Sequence, residues 1–149
     1  MRNEEEKTKV VGVIPARYSS TRFEAKVLAD IMGKPMLQWV WERAKQVKIL
    51  DELFIACDDD RVAEIARSFG AQVAMTAKGH ASGTDRIAEV VNPLEVDVVV
   101  NIQGDEPLIH PTMIDSVARA ILYDKEISVA TLIRKIDDPR EVNDPHVVK

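Results

Sequence analysis

The chain has 149 residues, of which 46% are hydrophobic and 30% charged, and its formal net charge is -5 at pH 7. This composition indicates one soluble globular domain, and an acidic chain with 5% aromatic residues excludes nucleic acid as a partner. No run reaches the roughly eighteen consecutive apolar residues of a membrane span. The single cysteine, Cys57, cannot form an internal disulfide. We therefore expect a cytoplasmic protein that contacts neither nucleic acid nor membrane.

The chain begins with a charged segment, and the folded domain follows it. Residues 1–9, MRNEEEKTK, contain no apolar signal core, so we predict a flexible, solvated tail. Residues 10–149 then form the predicted domain. Short apolar runs predict strands at 10–14, 52–57, 71–75, 96–102 and 127–133, and residues 27–31 form a short extended piece.

Amphipathic patterns between these runs predict helices. They begin at Pro35, after the acidic triplet 58–60, after Ser82 and at Pro111. Pro15 is expected to end the first strand, and the acidic triplet is expected to cap a helix rather than bind a metal. Strands that alternate with helices predict a parallel sheet with right-handed crossovers, and its ligand site lies beyond the carboxyl ends of the strands.

The turn after the first strand concentrates positive charge. Three cations, Arg17, Arg22 and Lys26, stand against the single Glu24 in this otherwise acidic chain. Backbone amides of such a turn point outward as a nest, and Arg or Lys added there can hold a polyphosphate. The cluster therefore predicts an anion site, and a solvated basic surface loop is the alternative.

The segment SGTDR, residues 82–86, combines a helix cap with a cation. Ser82 and Asp85 have the spacing of a capping box. Capping does not explain Gly83, nor does it explain Arg86 in a first helical turn, where the helix dipole disfavours a cation. Arg86 therefore predicts an anionic or polar partner. His80, just before this segment, is expected to be a solvated loop residue.

The fourth predicted strand ends in QGDEP, residues 103–107. A carboxylate at the tip of a buried strand is costly to desolvate unless it is paired or binds a metal, so Asp105 is expected to meet a cation. Mg²⁺ prefers one or two carboxylates together with phosphate oxygens and water, which fits Asp105 facing a triphosphate. An ordinary turn before Pro107 is the alternative.

These segments resemble the signatures of 3-deoxy-manno-octulosonate (KDO) cytidylyltransferases, which make the CMP-activated sugar acid for lipopolysaccharide. PARYSSTR with Lys26 matches the family pattern P-A-R-x-x-S-T-R-x-x-x-K, although Glu24 and Ala25 stand where Pro and Gly are common. SGTDR and QGDEP are signatures of the same family. The resemblance covers residues 10–149 and implies a three-layer α/β/α, Rossmann-like nucleotide-diphospho-sugar transferase fold with a mostly parallel sheet.

The resemblance also implies roles for individual residues. Asp105 is expected to bind Mg²⁺, the implied cofactor, and Gln103 to place the sugar. Arg17 and Lys26 join Asp105 as the expected catalytic residues, because Lys26 or Arg17 would stabilise the departing pyrophosphate. The expected nucleotide-binding residues are Pro15, Ala16, Arg17, Ser20, Arg22, Lys26, Ser82, Gly83 and Arg86.

The implied reaction is transfer of CMP from CTP to KDO, in which the anomeric hydroxyl attacks the α-phosphorus and pyrophosphate leaves. An amino analogue of KDO or sialic acid is the alternative acceptor, and an inactive nucleotide-binding fragment is the alternative of another class. Family members continue well beyond residue 149. We therefore expect a truncated, N-terminal part of a longer cytidylyltransferase domain whose full-length form is a homodimer, rather than a natural short form.

Overall fold

The computed structural model describes residues 8–19, 24–145 and 147. Its strands are β1 (Val10–Ala16), β2 (Asp30–Ile31), β3 (Lys34–Pro35), β4 (Glu52–Cys57), β5 (Gln72–Met75) and β6 (Val98–Asn101). Its α-helices are α1 (Met36–Ala44), α2 (Asp60–Ser68), α3 (Gly83–Val91), α4 (Pro111–Tyr123) and α5 (Pro139–Val142), and Lys26–Leu28 form a 3₁₀ turn. The predicted tail lies almost wholly outside the described residues and stays a prediction.

The main sheet is parallel, as the alternation of strands and helices predicts. Its strand order is β5-β4-β1-β6, and β1 pairs in parallel with both β4 and β6. Val13 lies opposite Phe54 of β4 and Asn101 of β6. Strands β2 and β3 form a separate antiparallel hairpin. The described part of the chain contains no helix that is both long and apolar enough to cross a bilayer.

Helices cover both faces of this sheet. Ile14 and Ile55 point to one face, where they pack in a single core with residues of α1, α2 and α4. Val13 and Ala56 point to the other face, where they meet Ile87 of α3. Side chains of successive strand residues alternate between the two faces, so each strand contributes to both cores. This arrangement confirms the three-layer α/β/α fold.

The structure corrects the expected end of the first strand. β1 continues through Pro15, which pairs with Ala56, to Ala16. Proline lacks an N–H and is ordinarily excluded from a central strand. It is tolerated here because the pairing of β1 with β6 ends at Val13 and Asn101, so β1 is already an edge on that side at Pro15.

Other boundaries also differ from the sequence-based expectations. Residues 127–133 form no strand, and Val129 and Ile133 are 85% and 94% exposed. A strand needs a neighbour, and within the described ranges no strand pairs with this segment. The expected extended piece 27–31 is confirmed only at its end, because residues 27 and 28 lie in the 3₁₀ turn and Asp30–Ile31 form β2. Pro35 precedes α1 instead of opening it.

The chain order places a switch point between β1 and β6. After β1 the chain moves to β4 and β5 on one side, and it then returns to add β6 on the other side. Ligands of open α/β sheets bind at the carboxyl ends of strands at such a point. The backbones are close there, because a Cβ atom at Gly104 would lie 2.9 Å from the carbonyl oxygen of Pro15.

Ala25 adopts a backbone conformation that favours glycine. Its φ is 54° and its ψ is 30°, which is the left-handed region, and its N–H donates to the carbonyl of Tyr18 at 2.8 Å. A residue with a Cβ atom in this region costs roughly 1 to 2 kcal/mol. Glycine is common at this position in the family that the chain resembles, and it would adopt the same conformation without that cost.

We expect Gly104→Ala to lower the free energy of unfolding by about 1 to 3 kcal/mol, because its methyl group would overlap a backbone oxygen that cannot move aside easily. Urea denaturation provides the measurement. Gly79→Ala is the matched control, since a Cβ atom there meets nothing within 4 Å and φ is not positive. Equal unfolding free energies for the two variants would contradict a close approach of β1 and β6.

We expect Ala25→Gly to be more stable than Ala29→Gly by about 1 kcal/mol. Both variants add the same flexibility to the unfolded chain, whereas only position 25 releases left-handed strain, because Ala29 has a φ of −55°. The two midpoints of urea denaturation give the difference. Equal stabilities would show that Ala25 is not strained.

Candidate active site

The segments that carry the sequence signatures meet at the carboxyl ends of β1 and β6. The Lys26 ammonium donates to Oδ2 of Asp105 at 2.8 Å. A Cβ atom at Gly83 would lie 3.3 Å from Cγ of Pro15, and Gly104 approaches the same proline from the other side. The cationic loop, the start of α3 and the QGDEP segment are therefore neighbours around Pro15.

Asp105 pairs with a cation, the Lys26 ammonium, but the reason given for that expectation is wrong. Asp105 lies in an exposed turn rather than at a buried strand tip, and the Lys26 and Asp105 side chains are 48% and 44% exposed. An ion pair with this exposure contributes at most about 1 kcal/mol, because water screens it and two flexible side chains must be ordered. Either side chain can therefore change its partner at little cost.

The expectation that Asp105 holds Mg²⁺ stays a prediction. The described residues contain no cluster of three or more His, Cys, Asp or Glu side chains that could hold a metal. An exposed carboxylate such as that of Asp105 would suit Mg²⁺, because this ion completes its coordination with phosphate oxygens and water. Gln103 is exposed beside it, and its amide donates to Oδ1 of Asn101 at 2.8 Å.

The start of α3 is capped as its sequence predicts. The Asp85 N–H donates to Oγ of Ser82 at 3.1 Å, and the Ser82 N–H donates to Oδ2 of Asp85 at 3.1 Å. The Ser82 hydroxyl donates to the same carboxylate. Gly83 follows as the first residue of the helix, and its missing side chain allows α3 to lie against Pro15.

Arg86 has the anionic partner that its position predicts, and this partner is Asp58. The Arg86 side chain is 3% exposed and donates from Nη2 to Oδ2 of Asp58 at 2.8 Å. Its Nη1 donates to the Thr76 hydroxyl and, at 3.3 Å, to the Ala77 carbonyl. Arg86 thus joins the ends of β4 and β5 to the first turn of α3.

Sequence reasoning missed the separate role of Asp58. The acidic triplet was expected to cap a helix, and Asp59 does so by accepting the Arg61 N–H at 3.0 Å. Asp58 instead lies 11% exposed against Arg86. A signal was present, because Asp58 directly follows β4 and therefore lies at the edge of the sheet where the site is expected.

A cleft of about 160 Å³ opens beside this ion pair. It is lined by Arg17, Tyr18, Ser19, Asp58, Asp59, Lys78, His80 and Arg86. Most of these side chains are charged, so the cleft suits a polar, charged ligand. Tyr18, Lys78 and His80 were not among the expected site residues.

His80 corrects the expectation of a solvated residue. Its side chain is 19% exposed, and its Nε2 contacts Oε2 of Glu89 on α3. The Ala77 N–H also donates to Glu89, at 3.1 Å. The His80 ring, followed by the Ala77 N–H, holds the pKa of Glu89 below its usual range. These contacts attach the loop after β5 to α3.

The remaining expected residues divide into two groups. Ala16 is buried and Arg17 is exposed at the end of β1, next to the half-buried Pro15. Ser20 and Arg22 lie outside the described residues, so their expected contacts with a nucleotide stay predictions.

Comparisons with known proteins identify similar proteins. The cytidylyltransferase family profile matches residues 11–149. The chain is 52% identical over 141 residues to a 3-deoxy-manno-octulosonate cytidylyltransferase of Solibacter usitatus, covering 95% of this chain and 56% of that protein. It is 47% identical over 150 residues to a mitochondrial 3-deoxy-manno-octulosonate cytidylyltransferase of Arabidopsis thaliana, covering 99% and 51%.

A solved structure supports the same relationship. It is a CMP:2-keto-3-deoxy-manno-octonic acid synthetase complexed with CTP, and it shares 46% sequence identity with this chain at a TM-score of 0.77. The match covers 79% of this chain and 49% of that one. The chain thus spans about half the length of the relatives that it matches. From its sequence motifs, its fold and the family profile, the chain belongs to the cytidylyltransferase family.

Proposed function

We propose that the protein to which this chain belongs transfers CMP from CTP to KDO and releases pyrophosphate, for lipopolysaccharide biosynthesis. The observation that carries the proposal is the 2.8 Å contact between Lys26 and Asp105, which joins the phosphate-binding loop to the candidate metal ligand. The names of the relatives support CTP and KDO as the substrates. Because the chain covers about half of those relatives, the complete activity and the expected homodimer are proposals for the whole protein.

The cationic loop would bind the triphosphate. Lys26 and Arg17 would neutralise the charge that develops on the departing pyrophosphate, and Arg22 would add a third cation to the same loop. Nucleotidyl transfer depends on such positioning and charge neutralisation more than on covalent catalysis. Pro15 and Ala16 would border the nucleotide at the end of β1.

The other nucleotide contacts are proposed in the cationic loop and along α3. Ser20 would contribute a hydroxyl from the cationic loop, and Ser82 and Gly83 would approach the nucleotide at the start of α3. Arg86 is already bonded to Asp58, so its contribution would be to shape the wall of the cleft while part of its guanidinium faces the ligand.

Asp105 would hold Mg²⁺, and Gln103 would place the sugar acid. When bound, Mg²⁺ supplies Lewis-acid polarisation of the phosphoryl oxygen and lowers the pKa of a coordinated hydroxyl. The Lys26 ammonium pairs with Asp105 in this structure, and the phosphates of CTP would offer it a second anionic partner. The Asp105 carboxylate would then be available to hold Mg²⁺.

We expect Arg17→Ala to weaken CTP binding by about 1.5 to 3 kcal/mol, the range for a charge-assisted hydrogen bond. Isothermal titration calorimetry of this chain with CTP, UTP and GTP measures the effect and tests the base preference. Arg67→Ala is the control. It removes an exposed arginine from the last turn of α2, and this variant should bind CTP with normal affinity. Preference for UTP or GTP, or unaltered affinity in Arg17→Ala, would contradict the proposal.

We expect Asp105→Asn to abolish the tightening of CTP binding by Mg²⁺ while the protein stays folded, because an amide is a poor ligand for this hard cation. Titrations with Mg²⁺ and with EDTA provide the measurement, and circular dichroism checks the fold. Asp97→Asn is the control, since Asp97 accepts the Lys9 N–H at the opposite end of β6. Undiminished Mg²⁺ dependence in Asp105→Asn would remove this residue from the metal site.

A separate assay identifies the acceptor. It measures pyrophosphate release by the complete protein with KDO, its amino analogue and sialic acid.

A further inference from the structure

His80 forms part of the wall of the cleft and is mostly buried. Its side chain is 19% exposed, and the residue lines the cleft together with Arg17 and Lys78. The imidazole ring has two nitrogens, and Nε2 contacts Oε2 of Glu89 on α3. Nδ1 has no hydrogen-bond partner among the residues that the structure describes. One polar atom of this ring is therefore available for a further hydrogen bond.

Glu89 determines which ring nitrogen carries the hydrogen. It accepts the Ala77 N–H through both of its oxygens, at 3.1 Å from Oε2 and 3.3 Å from Oε1. The hydrogen bond with His80 is the largest cause of the lowered pKa of Glu89, so the carboxylate is ionised at neutral pH and can only accept hydrogen bonds. Nε2 must then donate to Glu89, which leaves Nδ1 of a neutral imidazole as an acceptor.

The loop that carries His80 is held in place at several points. The Thr76 N–H donates to the Cys57 carbonyl at 2.8 Å, and the Ala77 carbonyl accepts a bond from Nη1 of the buried Arg86 at 3.3 Å. The Ala77 N–H is bonded to the α3 carboxylate, so both backbone polar groups of Ala77 have partners. An acceptor that is fixed before its ligand arrives loses little freedom when it binds a matching donor.

We propose that His80 is a ligand-binding residue, whose Nδ1 accepts a hydrogen bond from the nucleoside half of CTP. The inference rests on the proposed function, because CTP is the ligand that the cleft would receive. CTP carries hydrogen-bond donors at the amino group of its base and at the hydroxyls of its ribose, whereas an ionised triphosphate only accepts. An acceptor at Nδ1 therefore selects the nucleoside rather than the phosphates, which suit cations such as Arg17.

One substitution separates this contact from a purely structural role of His80. The amide nitrogen of His80→Gln lies as many bonds from the backbone as Nε2 does, so it can still donate to Glu89, but no polar atom replaces Nδ1. We expect this variant to raise the dissociation constant for CTP about three- to tenfold, the range for one hydrogen bond. Amide hydrogen exchange at Ala77 should stay unchanged, because the loop keeps its attachment to α3.

His110→Asn is the matched control. His110 does not line the cleft, and its Nδ1 already accepts the Thr112 N–H at 3.3 Å at the start of α4. Asparagine also caps helices well, so the variant should fold and should bind CTP with normal affinity. A structural role of His80 through Glu89 alone would likewise leave the affinity of His80→Gln normal, and that result would overturn the contact.

Nucleotide analogues identify the donor that Nδ1 binds. UTP has a carbonyl oxygen where CTP has the amino group, and 2′-deoxy-CTP and 3′-deoxy-CTP each lack one ribose hydroxyl. If Nδ1 binds the amino group, His80→Gln should narrow the preference for CTP over UTP. If Nδ1 binds the ribose, the variant should instead narrow the preference for CTP over one deoxy analogue. Unaltered preferences in both comparisons would contradict the contact.

Nitrogen NMR of the unsubstituted chain tests the tautomer without a variant. At roughly pH 8.5, where an imidazole is neutral, His80 should carry its hydrogen on Nε2. The Nδ1 resonance of His80 should shift when CTP is added, and that of His110 should not. A hydrogen on Nδ1 of His80, or an Nδ1 resonance that CTP leaves unmoved, would overturn the contact while CTP binding itself remained. Failure of the unsubstituted chain to bind CTP would overturn the proposed function as well.

Discussion

The close approach of Gly104 to the Pro15 carbonyl is the constraint on which the site depends. It sets the separation between the segments that leave β1 and β6, and these segments carry the candidate phosphate-binding and metal-binding residues. With the two backbones in contact, Lys26 and Asp105 can meet at 2.8 Å although they are 79 positions apart in the sequence. Because the strands are parallel, β1 and β6 end at the same edge of the sheet, and Gly104 allows the two backbones to lie close together there.

Ion pairs of two kinds surround this edge. Lys26 and Asp105 are about half exposed, and their pairing can be exchanged at little cost because water solvates either charge when it is released. Arg86 and Asp58 are 3% and 11% exposed, and separating them would leave a buried charge without a partner. The first pair thus suits a position where ligands bind, and the second suits a permanent connection between strand ends and α3.

Local patterns in the sequence were sufficient to predict most of the strands and helices and part of the site. Residues 52–57 were predicted as a strand with the bounds of β4, and the capping box of Ser82 and Asp85 is formed as expected. Expectations failed where a distant neighbour decides the outcome. Pro15 remains in a strand because β6 pairs with β1 only up to Val13, and the apolar segment 127–133 has no partner strand within the described residues. Neither fact can be read from local periodicity.

The buried pair of Arg86 and Asp58 has a consequence for how this sequence can evolve. Replacing one member alone leaves an uncompensated charge in the interior and costs about 3 to 5 kcal/mol, whereas replacing both with apolar residues can be nearly neutral. Each position therefore determines which substitutions the other tolerates. A selection for stability that samples one substitution at a time would reject the loss of either charge, and paired codon libraries would be needed to find stable alternatives.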